Sequence, residues 1–196
     1  IFLRRMSAPA MSALTVVEFV KQLSAKQPTP GGGAAAAVGA AVGGAAASMA
    51  AAYTMRKKDI ESGAATHAQT LRQTLDPSAA LAAAEDDAMA YADLQRSWKD
   101  AEMSAEAKTD IEARALAVPV QLLALCHTQV LAIRDFLTVC NPNITSDAKV
   151  GIHQLAGAAC SAFQTAMVNK PESDVVDSLR RQLDEIRKIE DAILME

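Results

Sequence analysis

Few residues in this chain are typed and spaced for chemistry. Nothing in it follows the Ser-His-Asp, P-loop or HExxH patterns. His67, His127 and His153 lie far apart, each at a helical position, and read as surface or satisfied core histidines. Cys126, Cys140 and Cys160 are an odd count without a CxxC pair, which fits buried, reduced thiols better than a disulfide framework or a zinc site. Two stretches stand out. The first is Pro28-Thr29-Pro30-Gly31-Gly32-Gly33, immediately before a small-residue helix. Three consecutive glycines are costly to order, but they can present a row of backbone N–H groups at the positive end of a helix. The alternative is a tight turn against a neighbouring helix. The second is Glu85-Asp86-Asp87 within LAAAEDDAMAY. Asp87 and Tyr91 are one helical turn apart on one face. Small apolar neighbours would partly desolvate Asp87 and raise its pKa toward acid/base use. The alternative is a solvated helix face.

These groups must be held by helices. Roughly a fifth of the chain is alanine, the best helix former and a poor strand former, so a sheet-rich fold is excluded. The pattern predicts a helix over 13–26 capped by Ser12, with a stripe of Leu14, Val17, Phe19, Val20 and Leu23. Pro28 and Pro30 end it. A small-residue helix follows over 33–62, punctuated by Gly63, and then a helix over 65–97 broken at Pro77. A further helix reaches about Val139 with a kink at Pro119. Asn141-Pro142-Asn143 is a turn, Thr145 or Ser146 caps a helix to Val168, and Ser173 opens an amphipathic last helix. Trp98, Tyr53 and Tyr91 read as packing residues. The expected architecture is all-α: a bundle of five or six helices around a buried Ala/Gly-rich central helix. Residues 1–12 read as a loose tail and 13–196 as one domain.

No charge occurs between Lys26 and Arg56, a stretch long enough for a membrane-span candidate. It lacks Leu, Ile and Phe, however, and ridges such as Ala35-Gly39-Gly43-Ala47-Ala51 and Ala36-Ala40-Gly44-Ser48-Ala52 suit close helix packing. A bundle core is therefore expected rather than a span. The net charge of −4 argues against non-specific nucleic-acid binding, and the mean hydropathy of +0.09 against global disorder. Arg4 and Arg5, with no acid in residues 1–17, weakly resemble an organellar presequence; a cytoplasmic location is the default expectation.

PTPGGG before an Ala/Gly helix, the DAMAY stretch at Asp87–Tyr91, and NPNITSD at Asn141–Asp147 with Asn169 further on together resemble the cyclodeaminase family. It includes the C-terminal domain of formiminotransferase-cyclodeaminase and similar methenyltetrahydrofolate cyclohydrolases, and the resemblance covers roughly residues 14–195. It implies an all-helical, self-associating (dimeric) enzyme of folate one-carbon metabolism. Its implied reaction is cyclodeamination of 5-formimino-tetrahydrofolate to 5,10-methenyl-tetrahydrofolate with release of ammonia. Hydrolysis or closure of the methenyl ring is the alternative, and a non-catalytic folate-binding or interaction module the alternative of another class. By the resemblance, Asp87 is the general acid/base, with Glu85 in reserve. Pro30, Gly31, Gly32 and Gly33 would contact substrate, and Asn143, Ser146 and Asp147 would line the same cleft. Arg56 and Lys57 would hold the folate's glutamate tail, whether single or polyglutamate. Neither a metal nor a cofactor beyond the folate is implied. Ala34 stands where relatives carry Ser, removing a hydroxyl from the mouth of the expected site, and Thr165 where they carry Asn.

Overall fold

The computed structural model describes residues 10–195. These residues form eight helices and two short 3-10 turns, with no strand among them. The fold is all-α. The helices are α1 (Val16–Leu23), α2 (Gly32–Ala52), α3 (Lys57–Glu61), α4 (Ala64–Thr74), α5 (Pro77–Lys99), α6 (Ala105–Leu137), α7 (Thr145–Val168) and α8 (Ser173–Leu194).

The centre is the α2–α7 pair. Along α2 the first ridge meets α7, with Gly39 against Ala158 and Gly43 against Gly151, Gln154 and Leu155. A β-carbon at Gly151 would stand 2.8 Å from the Ala47 β-carbon and 2.9 Å from the Gly43 carbonyl, so only glycine permits this approach. The second ridge meets α6, where Gly44 faces the buried amide of Gln129. The central helix is thus built as its spacing implies. By length and composition α2 and α6 could each cross a membrane. Here α2 is instead the core of the bundle, its alanines at 34, 36, 37, 40, 47, 50 and 51 almost wholly covered.

α8 closes the bundle. Val176, Leu179, Leu183, Ile186, Ile189 and Ile193 are all buried, each contributing about 1.5–3 kcal/mol of apolar transfer. Cys126 and Cys140 are buried, whereas Cys160 is half-buried.

Several expected boundaries move. The first helix begins at Val16 because Thr15 and Glu18 form a reciprocal capping box: the Thr15 N–H donates to Glu18 Oε2 (2.9 Å) and the Glu18 N–H to Thr15 Oγ1 (3.2 Å). Ser12 is in a 3-10 turn, Met11–Ala13, packed on α5, and its N–H donates to Glu85 Oε1 (3.1 Å). Met11 and Ser12 are therefore docked; residues 1–9 of the expected tail, including Arg4 and Arg5, lie outside the described residues. Of the expected stripe, Leu14, Phe19 and Leu23 are half-buried, while Val17 and Val20 are exposed. The small-residue helix stops at Ala52, ten residues early. There Thr54 Oγ1 donates to the Ala50 carbonyl and accepts the Asn141 N–H, while Asn141 Nδ2 donates to the Tyr53 carbonyl. Pro77 divides α4 from α5 as expected, occupying the first turn after the Asp76 cap. No side chain caps α7: its N-cap is Ile144, and Thr145 Oγ1 donates to the Asn141 carbonyl.

Candidate active site

At the N-terminus of α2 is a cavity of about 760 Å³. Its floor is Gly31, Gly32 and Gly33, with Pro28 beside them. One wall is the face of α5 carrying Asp87, Tyr91, Leu94 and Trp98. Those positions recur at helical spacing and so share one side of the helix. Glu112, Ala115 and Pro119 of α6 form a second wall, and Thr165, Val168, Asn169 and Lys170 at the end of α7 a third.

The triglycine bend and the acid from a separate helix do converge. Asp87 lies so close to Gly33 that a β-carbon there would overlap its carboxylate. No side chain of its own segment caps α2. Asp87 does so from α5, accepting a hydrogen bond from the Ala34 N–H. Burial pushes the Asp87 carboxyl above its ordinary range, and the Ala34 bond only partly offsets this. The result is a half-buried acid, inclined to hold a proton, beside a row of backbone donors. In the α6 wall Pro119 has no N–H, so the Ala115 carbonyl four residues earlier lacks its usual helical donor, and both residues line the cavity.

Other expected site residues are elsewhere. Glu85 does not line the cavity; it holds the Ser12 N–H. Pro30 is buried beneath the bend after a cis Thr29–Pro30 bond, and Pro28 lines the cavity in its place. Ala34 is fully buried, so the hydroxyl expected there would lie in the core and not at the mouth. Asn143, Ser146 and Asp147 lie at the start of α7, and Arg56 and Lys57 just beyond the end of α2. That is the opposite end of a 21-residue helix, about 30 Å away. Ser146 Oγ donates to Asp147 Oδ2, and the Asn143 N–H donates to Asn141 Oδ1. Arg56 is held in a fork by Asp59 (2.7 and 2.8 Å), and Lys57 pairs loosely with Glu61 at 3.8 Å. These residues are bonded locally and do not line the cavity; the tie between the far ends of α2 and α7 is made by Asn141 with Tyr53 and Thr54.

The residues missed were Trp98, Leu94, Glu112, Pro119 and Lys170. Tyr91 and Trp98, read as packing, instead form an edge-to-face pair on the cavity wall, with ring centroids 6.3 Å apart. Continuing the Asp87–Tyr91 spacing by two further turns would have reached Leu94 and Trp98.

Residues 15–186 match the formiminotransferase-cyclodeaminase family. The chain belongs to that family. Its fold is shared with the crystal structure of formiminotetrahydrofolate cyclodeaminase from Thermotoga maritima, with a TM-score of 0.73 at 19% sequence identity, over 93% of this chain and 98% of that one. No curated protein matches the chain by sequence.

Proposed function

We propose that the cavity binds a reduced folate and that Asp87 moves the protons of cyclodeamination. Family membership supports the substrate class. The observation that carries the reading is the Asp87 carboxyl, held between Gly33 and the Ala34 N–H at the floor of a ligand-sized cavity. N10 of 5-formimino-tetrahydrofolate adds to the formimino carbon. The C=N electron pair moves to the terminal nitrogen, which takes the Asp87 proton, and N10 returns its own proton to the carboxylate. Asp87 then protonates the resulting amine, the carbon–nitrogen bond breaks, and ammonia leaves. The methenyl cation forms opposite a carboxylate of matching charge. Folding supplies the rest by fixing the two reacting nitrogens in one enclosed place.

Supply of 5-formimino-tetrahydrofolate, with methenyl absorbance and ammonia followed together, tests this. Asp87→Asn should lower kcat by roughly 100-fold or more, since it removes a positioned acid/base. Asn caps a helix about as well as Asp, and so removes the proton while keeping the cap. An unchanged rate would reduce Asp87 to a capping group. Consumption of methenyl-folate with water, without ammonia from formimino-folate, would assign cyclohydrolase chemistry instead. Neither turnover nor folate binding would leave an interaction module.

The same reading takes folate as the only cofactor-like group and gives no role to nucleic acid or membrane. It places the protein in the cytoplasm as a homodimer. The exposed outer face of α2, with Val42, Met49 and Tyr53, supports self-association, since an uncharged face can meet its own copy without like-charge repulsion. Sedimentation of the parent chain and of Val42→Glu tests the dimer; identical masses would refute this face.

A further inference from the structure

The cavity has two unlike ends. Asp87 is half-buried over α2, while Trp98, eleven residues along the same helix and about 16 Å further out, is 65% exposed. Tyr91 and Leu94 continue the wall between them. Across the cavity, Thr165 stands beside Gly32. Lys170, five residues later, is at the mouth.

Lys170 is unusual in three respects. Its φ of 50° is left-handed; no other non-glycine among the described residues has a positive φ. A helix commonly ends on such a conformation, but glycine is the residue that adopts it without steric cost. Lys170 is also the sole cation lining the cavity, and its ammonium has no carboxylate partner among the described residues. Glu112, on the α6 wall, is the other charge near the mouth. It repels an anion lying along α6 and so directs one toward α7.

A bicyclic ring beside Asp87 would leave the outer half of this cavity unfilled. We infer that the outer half is a second subsite for the tail of an elongated substrate, with the Tyr91–Trp98 pair flanking an aromatic ring and Lys170 pairing with a terminal carboxylate. This rests on the folate reading and deepens it. The aminobenzoyl-glutamate portion is recognised here, whereas Arg56 and Lys57 are at the wrong end and already paired. The site therefore selects a whole folate over a free pterin.

Calorimetric titration tests the subsite, with 5-formyl-tetrahydrofolate as the folate probe and 6-methyl-tetrahydropterin as the tail-free probe. The parent protein should bind the folate more tightly. Lys170→Gly and Lys170→Met should each weaken folate binding roughly threefold to tenfold, as expected for a partly exposed charge pair, and leave pterin binding unchanged. Added salt should weaken folate binding to the parent more than to either variant. Lys170→Gly should melt no lower than the parent, because glycine relieves the left-handed backbone. Equal folate affinity in parent and variants overturns the subsite but not the folate reading, as does a parent that binds pterin and folate equally. A parent that binds neither probe overturns both.

Discussion

Replacing Gly33 by alanine separates the geometry of the proposed site from the stability of the helix that floors it. On propensity alone, alanine inside α2 should stabilise the helix by about 0.5–1 kcal/mol. The added methyl, however, falls on the Asp87 carboxylate, which must retreat by about 1.4 Å or more to regain ordinary contact. That retreat stretches or breaks the bond from the Ala34 N–H and moves the acid relative to the reacting nitrogens. A displacement of about 1 Å can cost on the order of 100-fold in rate, or roughly 2.7 kcal/mol on the barrier. Gly157→Ala is the control: nothing lies within 4 Å of a β-carbon there, and Gly157 is outside the cavity. Steady-state ring closure and thermal melting should be measured on both variants. Gly157→Ala should gain stability with kcat unchanged. Gly33→Ala should lose about two orders of magnitude in kcat while remaining folded by circular dichroism. If Gly33→Ala turns over like the parent, Asp87 tolerates displacement and the placement of its carboxylate is not what the reaction depends on.

Gly151→Ala should cost about 1–3 kcal/mol in urea unfolding, because its methyl meets Ala47 and the Gly43 backbone with no room to relax. Asp59 is held at a pKa of about 2, below its ordinary 3.8, chiefly by its hydrogen bond to Arg56. Its contribution to stability is therefore full above about pH 4 and lost as pH falls through about 2; melting curves of Asp59→Asn should lack that part of the acid dependence. Burial pushes the Cys126 thiol up to about 12, and Cys140 is also buried and raised. A maleimide at neutral pH should label Cys160 first, with Cys126 reacting only on unfolding; prompt native labelling of Cys126 would contradict the packing.

What the sequence disclosed depended on the range of the interaction. The apolar positions of α8 and the small-residue ridges of α2 are periodic, and periodicity is a local signal; the structure buries all six α8 residues and packs both ridges. Pro77, Gly63 and the Asn141 turn act on their own backbone and mark boundaries where expected. Boundaries set by distant partners were not visible. α2 stops where Asn141, some ninety positions later, binds Tyr53 and Thr54. The same reason divides the site. Asp87 and the glycines were paired correctly, but family motifs carry order along the chain and not which end of a 21-residue helix they occupy. Hence Asn143, Ser146, Asp147, Arg56 and Lys57 were drawn into a cleft from which α2 separates them. Lys170 gave no local signal, since a lysine after a helix is ordinary until its backbone angle is known.

The linker between α5 and α6, residues 100–104, has a role beyond joining two helices. It sets how far their ends project beyond the glycine floor, because the Asp87–Trp98 wall of α5 turns back there into the Glu112–Pro119 wall of α6. Inserting one helical turn in each arm would deepen the vessel by about 5 Å without disturbing the α2–α7 crossing. Substrate length can thus drift in evolution through this turn, while the acid and its glycines stay anchored to a crossing that has no room for a methyl at Gly151.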